Sequence, residues 1–138
     1  MSPPSTLPHS DAAQPFSVLV VEDMDSLRAA LVSELRRAGV SQVLEASEGD
    51  TALRLFTEQR PDLVLLDIQL PGMDGYAVAQ ALRACKTLPN LPIVAVTSYA
   101  MPGDRERCLA SGCDGYIEKP IDPATFADEV AGYLENRP

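Results

Sequence analysis

The sequence predicts an α/β protein built on one doubly wound parallel sheet. From residue 17 onward, short aliphatic runs alternate with longer stretches whose apolar residues recur three and four positions apart, and these are the patterns of strands and of amphipathic helices. Three of the short runs are apolar throughout, as expected for strands that helices cover on both faces. The length of 138 residues fits one domain of ordinary size.

Five strands follow from the aliphatic runs. They are predicted at Val18–Val21, Val43–Ala46, Leu63–Leu66, Ile93–Val96 and Tyr116–Ile117. Strands joined by helices need right-handed crossovers, and the flavodoxin-like order 2-1-3-4-5 is one of two common solutions. In such sheets a ligand binds beyond the carboxyl ends of the strands.

Five helices are predicted between and after these strands. The first has leucines at intervals of four and stops at Gly39, while the second follows Ser47 as a cap with Asp50 three residues later. The fifth opens with Asp122 as N-cap and Pro123 at its first helical position. The third and fourth are predicted over residues 75–84 and within residues 101–112, the fourth being the least apolar.

The start of the sequence differs in composition from the rest. Residues 1–15 are rich in Pro, Ser and Ala and match no secretory signal, so we predict a flexible tail there and a folded domain over residues 16–136. No apolar run approaches the roughly 20 residues of a membrane-spanning helix. A formal net charge of -9 opposes binding to nucleic acid or anionic lipid, and therefore favours protein partners.

The cysteines and the histidine do not form a metal motif. Cys85, Cys108 and Cys113 have no metal-type spacing, and His9, the only histidine, lies in the predicted tail. We therefore expect reduced thiols, a cytoplasmic location and no zinc site.

Charged and polar residues follow the predicted strands. The first strand is followed by adjacent acids, Glu22 and Asp23, the third by Asp67, the fourth by Thr97 and the fifth by Lys119. Two carboxylates roughly 4 Å apart repel by about 4 kcal/mol at an effective dielectric near 20. Oxygen ligands of this kind suit Mg²⁺ or Mn²⁺, which would offset the repulsion. With a cation, an ammonium and a hydroxyl nearby, Asp67 can act as a nucleophile towards phosphorus.

Four segments together carry a family resemblance. The segments VLVVEDMD, PDLVLLDIQLPGMDG, PIVAVTSYA and DGYIEKPI, in this order and spacing, resemble the receiver domain of bacterial two-component response regulators. The similarity covers about residues 16–136. Because the sequence ends soon after the fifth predicted helix, it resembles the single-domain type, which has no DNA-binding or enzymatic output.

The resemblance implies a ligand set and a phosphoacceptor. Glu22, Asp23, Asp67 and the backbone carbonyl of Gln69 would bind Mg²⁺ (or Mn²⁺). Asp67 would accept a phosphoryl group from a sensor histidine kinase or a histidine phosphotransfer protein. The chain would then be a signalling switch, not an enzyme beyond self-phosphorylation and self-dephosphorylation.

The resemblance also implies a switch. Thr97 would move to bond the phosphoryl group, Lys119 would pair with it, and Tyr116 would turn inward. Gln69 and Tyr99 would flank the phosphoryl group. The signal would leave through the face of the fourth helix, fifth strand and fifth helix towards an effector protein, and a homodimer on activation is left open.

Two residues depart from the family pattern and one peptide bond is expected to be unusual. Glu22 replaces the commoner aspartate, which lengthens one ligand, and Met24 is apolar where many relatives are polar. The Lys119–Pro120 peptide is expected to be cis.

Other functions compete with the switch. The chain could be a phosphorelay intermediate, or a receiver-fold scaffold that binds its partner whatever its phosphorylation state. A Mg²⁺-dependent aspartyl-phosphate phosphatase would need an added general acid and a cap that excludes water, and the sequence has no insertion large enough for a cap.

Overall fold

The computed structural model describes residues 16–70, 73–84, 91–98 and 103–135. The predicted tail therefore lies outside the described residues, as do Tyr99 and Met101. The strands of the described residues are β1 (Ser17–Val21), β2 (Gln42–Ala46), β3 (Leu63–Asp67), β4 (Gln69–Leu70), β5 (Met73–Asp74), β6 (Ile93–Thr97) and β7 (Gly115–Glu118). The helices are α1 (Asp25–Arg37), α2 (Gly49–Gln59), α3 (Gly75–Ala84), α4 (Asp104–Ala110) and α5 (Pro123–Glu135).

Five parallel strands form the main sheet in the order β2-β1-β3-β6-β7. This confirms the predicted order 2-1-3-4-5, because β4 and β5 form a separate antiparallel hairpin. Val21 pairs with Leu66, and Asp67 pairs with Val96, so the carboxyl ends of the central strands lie side by side.

Helices cover both faces of the sheet. β1, β3 and β6 are almost wholly buried, and alternate residues of each strand point to opposite faces. One face packs against α2 and α3 through residues such as Leu19, Val64, Ile93, Phe56 and Leu82. The other packs against α1 and α5 through residues such as Val20, Leu65, Val94, Leu35 and Phe126. Each large side chain buried in this way stabilises the fold by about 1.5–3 kcal/mol.

Helix ends agree with the predictions in two cases and disagree in one. The backbone N–H of Ala124 donates to Asp122 Oδ1 at 3.0 Å, which confirms the cap of α5. Gly39 has φ 102° just after α1, as a helix stop requires. The predicted cap of α2 is wrong: Glu48, not Ser47, is the N-cap and makes no side-chain capping bond. Glu48 is still extended, so the helix begins one residue later than a Ser47 cap would place it.

The amino ends of the strands are held by two aspartates. Asp62, before β3, accepts a bond from the Ser17 N–H at 2.8 Å, and Asp114, before β7, accepts one from the Ile93 N–H at 2.8 Å. Arg83 at the end of α3 adds bonds to Asp114 Oδ2 at 2.5 Å and to the Leu91 carbonyl at 2.8 Å. We call these three side chains the amino-end clamp. It lies opposite the edge at which the acids were predicted.

None of the described helices exceeds 13 residues, and none has the length and hydrophobicity of a membrane-spanning helix.

The first residue of α3 is predicted to tolerate no side chain. A Cβ at Gly75 would lie 2.7 Å from the Asp67 carbonyl oxygen and closer still to the backbone of Ile68. Because backbone atoms cannot rotate away, Gly75→Ala is expected to lower the free energy of unfolding by about 2–3 kcal/mol. Urea denaturation followed by circular dichroism measures this change.

Gly132 in α5 is the matched control, because a Cβ there meets nothing within 4 Å. Gly132→Ala is expected to raise the free energy of unfolding by about 0.5–1 kcal/mol. Equal effects of the two substitutions would contradict the close approach at Gly75.

Candidate functional site

Three carboxylates meet at the carboxyl edge of the sheet. Oxygens of Glu22, Asp23 and Asp67 all lie within 4.8 Å of one another. Glu22 is only 1% exposed and Asp67 3%, whereas Asp23 is exposed. The three acids therefore lie close together as predicted, with Glu22 and Asp67 in the protein interior and Asp23 facing solvent.

Lys119 supplies positive charge to this cluster. Its Nζ lies 3.0 Å from Glu22 Oε1 and 3.4 Å from Asp67 Oδ1. Its backbone N–H donates to the Thr97 carbonyl at 2.8 Å. This bond fixes the position of the Lys119 backbone from which the side chain extends. The Lys119–Pro120 peptide is cis, as the resemblance implied.

Both carboxylate oxygens of Glu22 accept hydrogen bonds from the protein. Oε1 accepts from Lys119, and Oε2 accepts from the Met24 N–H at 3.2 Å. Burial raises the pKa of Glu22, the Lys119 bond lowers it, and repulsion by Asp67 raises it again, with burial the largest effect. The balance is a raised pKa. Among the described residues of the cluster, three carboxylates face the one ammonium of Lys119, so a net negative charge remains when all three are ionised.

Asp67 ends β3 and is oriented by the chain that follows it. The Gln69 N–H donates to Asp67 Oδ1 at 3.0 Å, so this oxygen takes both the backbone bond and the Lys119 contact. The Gly75 N–H donates to the Ile68 carbonyl at 2.9 Å. This bond closes the β4–β5 hairpin beneath Asp67, and the close approach of Gly75 allows it.

The other predicted site residues lie in different positions around the cluster. Thr97 is 2% exposed at the end of β6, one residue beyond the partner of Asp67 in the sheet. Gln69 exposes its side chain, and its Oε1 accepts a weak bond from Ser98 Oγ at 3.4 Å. Tyr99, predicted to flank the phosphoryl group, lies outside the described residues.

Tyr116 lies on β7 beside Ala95 and is half-buried against the core. Burial raises the pKa of its hydroxyl, with smaller contributions from Glu118 and from residues of α4. The phenol is therefore neutral at physiological pH. Its place near α4 is compatible with the predicted switch role, which remains a prediction.

A side-chain bridge joins the start of α3 to α4. The Arg107 guanidinium lies 4.1 Å from the centre of the Tyr76 ring, and Arg107 Nη2 lies 3.5 Å from Asp74 Oδ2. Asp74 Oδ1 accepts a hydrogen bond from the Tyr76 N–H at 3.0 Å, which shapes the turn before α3. The chain next to Asp67 is thus linked to α4 by side chains.

The sequence did not single out Arg28 as a site residue. Its Nη1 donates to the backbone carbonyl of Glu22 at 2.9 Å. The sequence does place an arginine one turn into the helix that follows the paired acids. From this position a long side chain can reach back to the end of β1.

The donor set fits a hard divalent cation. Two oxygens on opposite sides of Mg²⁺ lie roughly 4.2 Å apart, so carboxylate oxygens within 4.8 Å of one another need only small movements to share one ion. The exposed Asp23 gives access from solvent.

Comparison with known proteins gives a consistent result. The model of the response regulator receiver domain family matches residues 18–131. The polar-differentiation response regulator DivK of Brucella anthropi is 41% identical over 120 residues, which span 87% of this chain and 97% of the relative. DivK of Brucella ovis is 40% identical over 118 residues, which span 86% of this chain and 95% of the relative.

Solved structures agree in fold. The receiver domain of a sensor histidine kinase from Pseudomonas aeruginosa PAO1 superimposes with a TM-score of 0.81 at 32% identity, covering 88% of this chain and 99% of that one. That crystal structure has a magnesium ion coordinated in its active site cleft. The chemotaxis protein CheY4 of Vibrio cholerae has a TM-score of 0.81 at 28% identity, covering 86% of this chain and 98% of that one.

Mg²⁺ is expected to stabilise the fold through the acidic cluster. At about 100 times its dissociation constant, a ligand bound only by the folded state raises the free energy of unfolding by about 2.7 kcal/mol. Asp23→Asn removes one ligand and should shrink this effect. Thermal denaturation with Mg²⁺ and with a chelator measures it. Asp128→Asn, an exposed change on α5, is the control, and an Asp23→Asn variant stabilised as much as the wild type would contradict the metal site.

Proposed function

This chain belongs to the response regulator receiver family, and from that premise we propose that it is a phosphorylation-activated signalling switch that accepts a phosphoryl group on Asp67. The observation that supports this most is the meeting of a buried Asp67 with two further carboxylates and with Lys119. We place the protein in the cytoplasm and give it no enzymatic role beyond self-phosphorylation and self-dephosphorylation.

The proposed reaction is a displacement at phosphorus. A carboxylate oxygen of Asp67 attacks the phosphoryl group of a phosphohistidine, a P–O bond forms, and the P–N bond to the donor imidazole breaks. The imidazole leaves with the electron pair of that bond and takes up a proton from solvent. Lys119, 3.4 Å from Asp67 Oδ1, can pair with the transferred group, and the hydroxyl of Thr97 can donate to one of its oxygens.

The cation would be held by residues that converge on Asp67. We assign Glu22, Asp23, Asp67 and the backbone carbonyl of Gln69 to Mg²⁺ or Mn²⁺. When bound, the ion supplies positive charge that offsets the charge of the phosphoryl oxygens. Since Glu22 already bonds to Lys119 and to the Met24 N–H, Glu22 would reach the ion through a water molecule or after releasing Lys119.

The phosphodonor would approach over an apolar groove next to the cluster. The groove adjoins Lys119 and lies between α1 and the start of α5, where it is lined by Met24, Leu27, Ala30, Pro120 and Ile121. A donor histidine must come within bonding distance of Asp67. A histidine kinase or phosphotransfer protein seated on this groove could place its histidine there.

The output would pass through α4, β7 and α5. A phosphoryl group carries about two negative charges in place of the single charge of the Asp67 carboxylate, and Lys119 and Thr97 would reorganise to pair with it. Tyr116 on β7 would move inward as the surface rearranges. Leu109 on α4 is 48% exposed and gives this face an apolar contact for an effector protein.

Phosphoryl transfer should depend on Asp67 and on the divalent cation. With Mg²⁺ and acetyl phosphate, the wild type is expected to gain one phosphoryl group, and Asp67→Asn or added chelator should abolish it. Intact-mass spectrometry measures the product. Asp50→Asn, an exposed change on α2, should label as the wild type does. Labelling that persists in Asp67→Asn would exclude this residue as the acceptor.

Beryllium fluoride separates the switch from its alternatives. A switch predicts that this phosphoryl mimic changes the affinity for an effector isolated with the wild-type protein, and that Thr97→Ala removes the change. Titration calorimetry measures the affinities. Equal affinity with and without the mimic would favour a phosphorylation-independent scaffold, and transfer of the phosphoryl group to a second phosphotransfer histidine would favour a relay.

A further inference from the structure

Arg28 bonds to three separate parts of the fold. Its Nη1 donates to the Glu22 carbonyl at 2.9 Å, its Nη2 to Asp25 Oδ1 at 2.6 Å, and its Nε to Glu45 Oε1 at 3.3 Å. These acceptors belong to the chain after β1, to the first turn of α1 and to β2. The side chain is 18% exposed, so the guanidinium is largely fixed between these elements.

The contact between Arg28 and Glu22 lies directly after the last paired residue of β1. Val21 is the last residue of β1, paired with Ala46 on one side and Leu66 on the other. The Glu22 N–H still donates to the Ala46 carbonyl at 2.9 Å. The Glu22 carbonyl accepts a bond from Arg28 Nη1 at 2.9 Å.

The two bonds orient the peptide planes on both sides of Glu22. The bond to Ala46 sets the plane before Glu22, and the bond from Arg28 sets the plane between Glu22 and Asp23. Because a peptide unit is planar, fixing the second plane restricts the directions in which both acidic side chains leave the backbone. The bond from Arg28 therefore helps to fix the backbone from which two of the three carboxylates of the cluster extend.

We propose that Arg28 is a positioning residue for the divalent-cation site, acting through the Glu22–Asp23 peptide without touching the ion. This inference rests on the proposed function in one respect, namely that the acidic cluster binds Mg²⁺. Residues that orient metal ligands in this way change metal affinity by about 10–100-fold when they are replaced.

A positioning role and a purely electrostatic role for Arg28 predict opposite effects of its removal on Mg²⁺ affinity. The positive charge of Arg28 is paired with the carboxylates of Asp25 and Glu45, and its guanidinium also bonds to the backbone of Glu22, a member of the acidic cluster. If Arg28 acted only by charge, its removal would leave the neighbourhood more negative and Mg²⁺ would bind more tightly. If it positions the Glu22–Asp23 peptide, removal weakens binding.

Two substitutions use this difference. Arg28→Gln removes the charge, whereas Arg28→Lys keeps the charge but cannot reproduce the three-way guanidinium contact. We expect both to weaken Mg²⁺ binding by about 10-fold, near the lower limit for such residues. Arg37→Gln is the matched control, because Arg37 is on the same helix and pairs with Glu34 at 3.2 Å on an exposed surface.

The measurement is titration calorimetry of the full chain with Mg²⁺ alone, below the melting temperature of each variant. A second measurement is the Mg²⁺ concentration that half-saturates acetyl phosphate labelling. That concentration should rise in both Arg28 variants, while the labelling rate at saturating Mg²⁺ returns to the wild-type value. A general loss of stability would not produce this recovery.

Unchanged or tighter Mg²⁺ binding in Arg28→Lys would overturn the proposal, and so would an equal loss of affinity in Arg37→Gln. Arg28→Lys decides the question alone should Arg28→Gln not fold. A wild-type chain that binds no Mg²⁺ would overturn the metal step of the proposed function itself. Wild-type binding with no effect at Arg28 would overturn only the role of this residue.

Discussion

The ion pairs of Lys119 with Glu22 and Asp67 are the interactions on which the functional end of the molecule depends. Two carboxylates are buried at the edge of the sheet, and an unpaired buried charge costs several kcal/mol. The ammonium lies 3.0 Å from one and 3.4 Å from the other. A single cation shared by two buried anions leaves a surplus of negative charge. That surplus favours the binding of a second cation. Because Lys119 pairs with Asp67, a group that binds at Asp67 also changes the position of the Lys119 ammonium.

The backbone around Lys119 is arranged to keep this pairing in place. The parallel register sets the ends of β1, β3 and β6 side by side, and the bond between Lys119 and the Thr97 carbonyl adds the end of β7. On the other side of Asp67, the hairpin closes only because Gly75 has no side chain. Glu22, Asp67 and Lys119 thus lie at the ends of different strands, and the ammonium at one strand end pairs with the carboxylates at two others.

Much of this arrangement could be predicted from the sequence, because it follows from local pattern and topology. The apolar runs gave the five strands of the main sheet, and parallel strands bring the residues after them to one edge. The contact between Arg28 and the Glu22 carbonyl was missed, since the position of an arginine one turn into α1 shows that its side chain can reach the end of β1 but not which backbone atom it bonds. The predicted cap at Ser47 was wrong although serine is a preferred N-cap type, because the extended backbone of Glu48 delays the start of α2 by one residue. The pairing of the Lys119 ammonium with both Glu22 and Asp67 likewise could not be predicted, because the two distances differ by only a few tenths of an ångström.

The amino-end clamp of Asp62, Arg83 and Asp114 has a consequence for how such a protein can change over evolutionary time. It secures the strands at the end of the sheet remote from the acidic cluster, with bonds that involve none of the reactive groups. The clamp therefore stabilises the amino edge with side chains that the acidic cluster does not use. A lineage could alter its partners, or the lifetime of its signal, by substitutions at the carboxyl edge without disturbing these bonds.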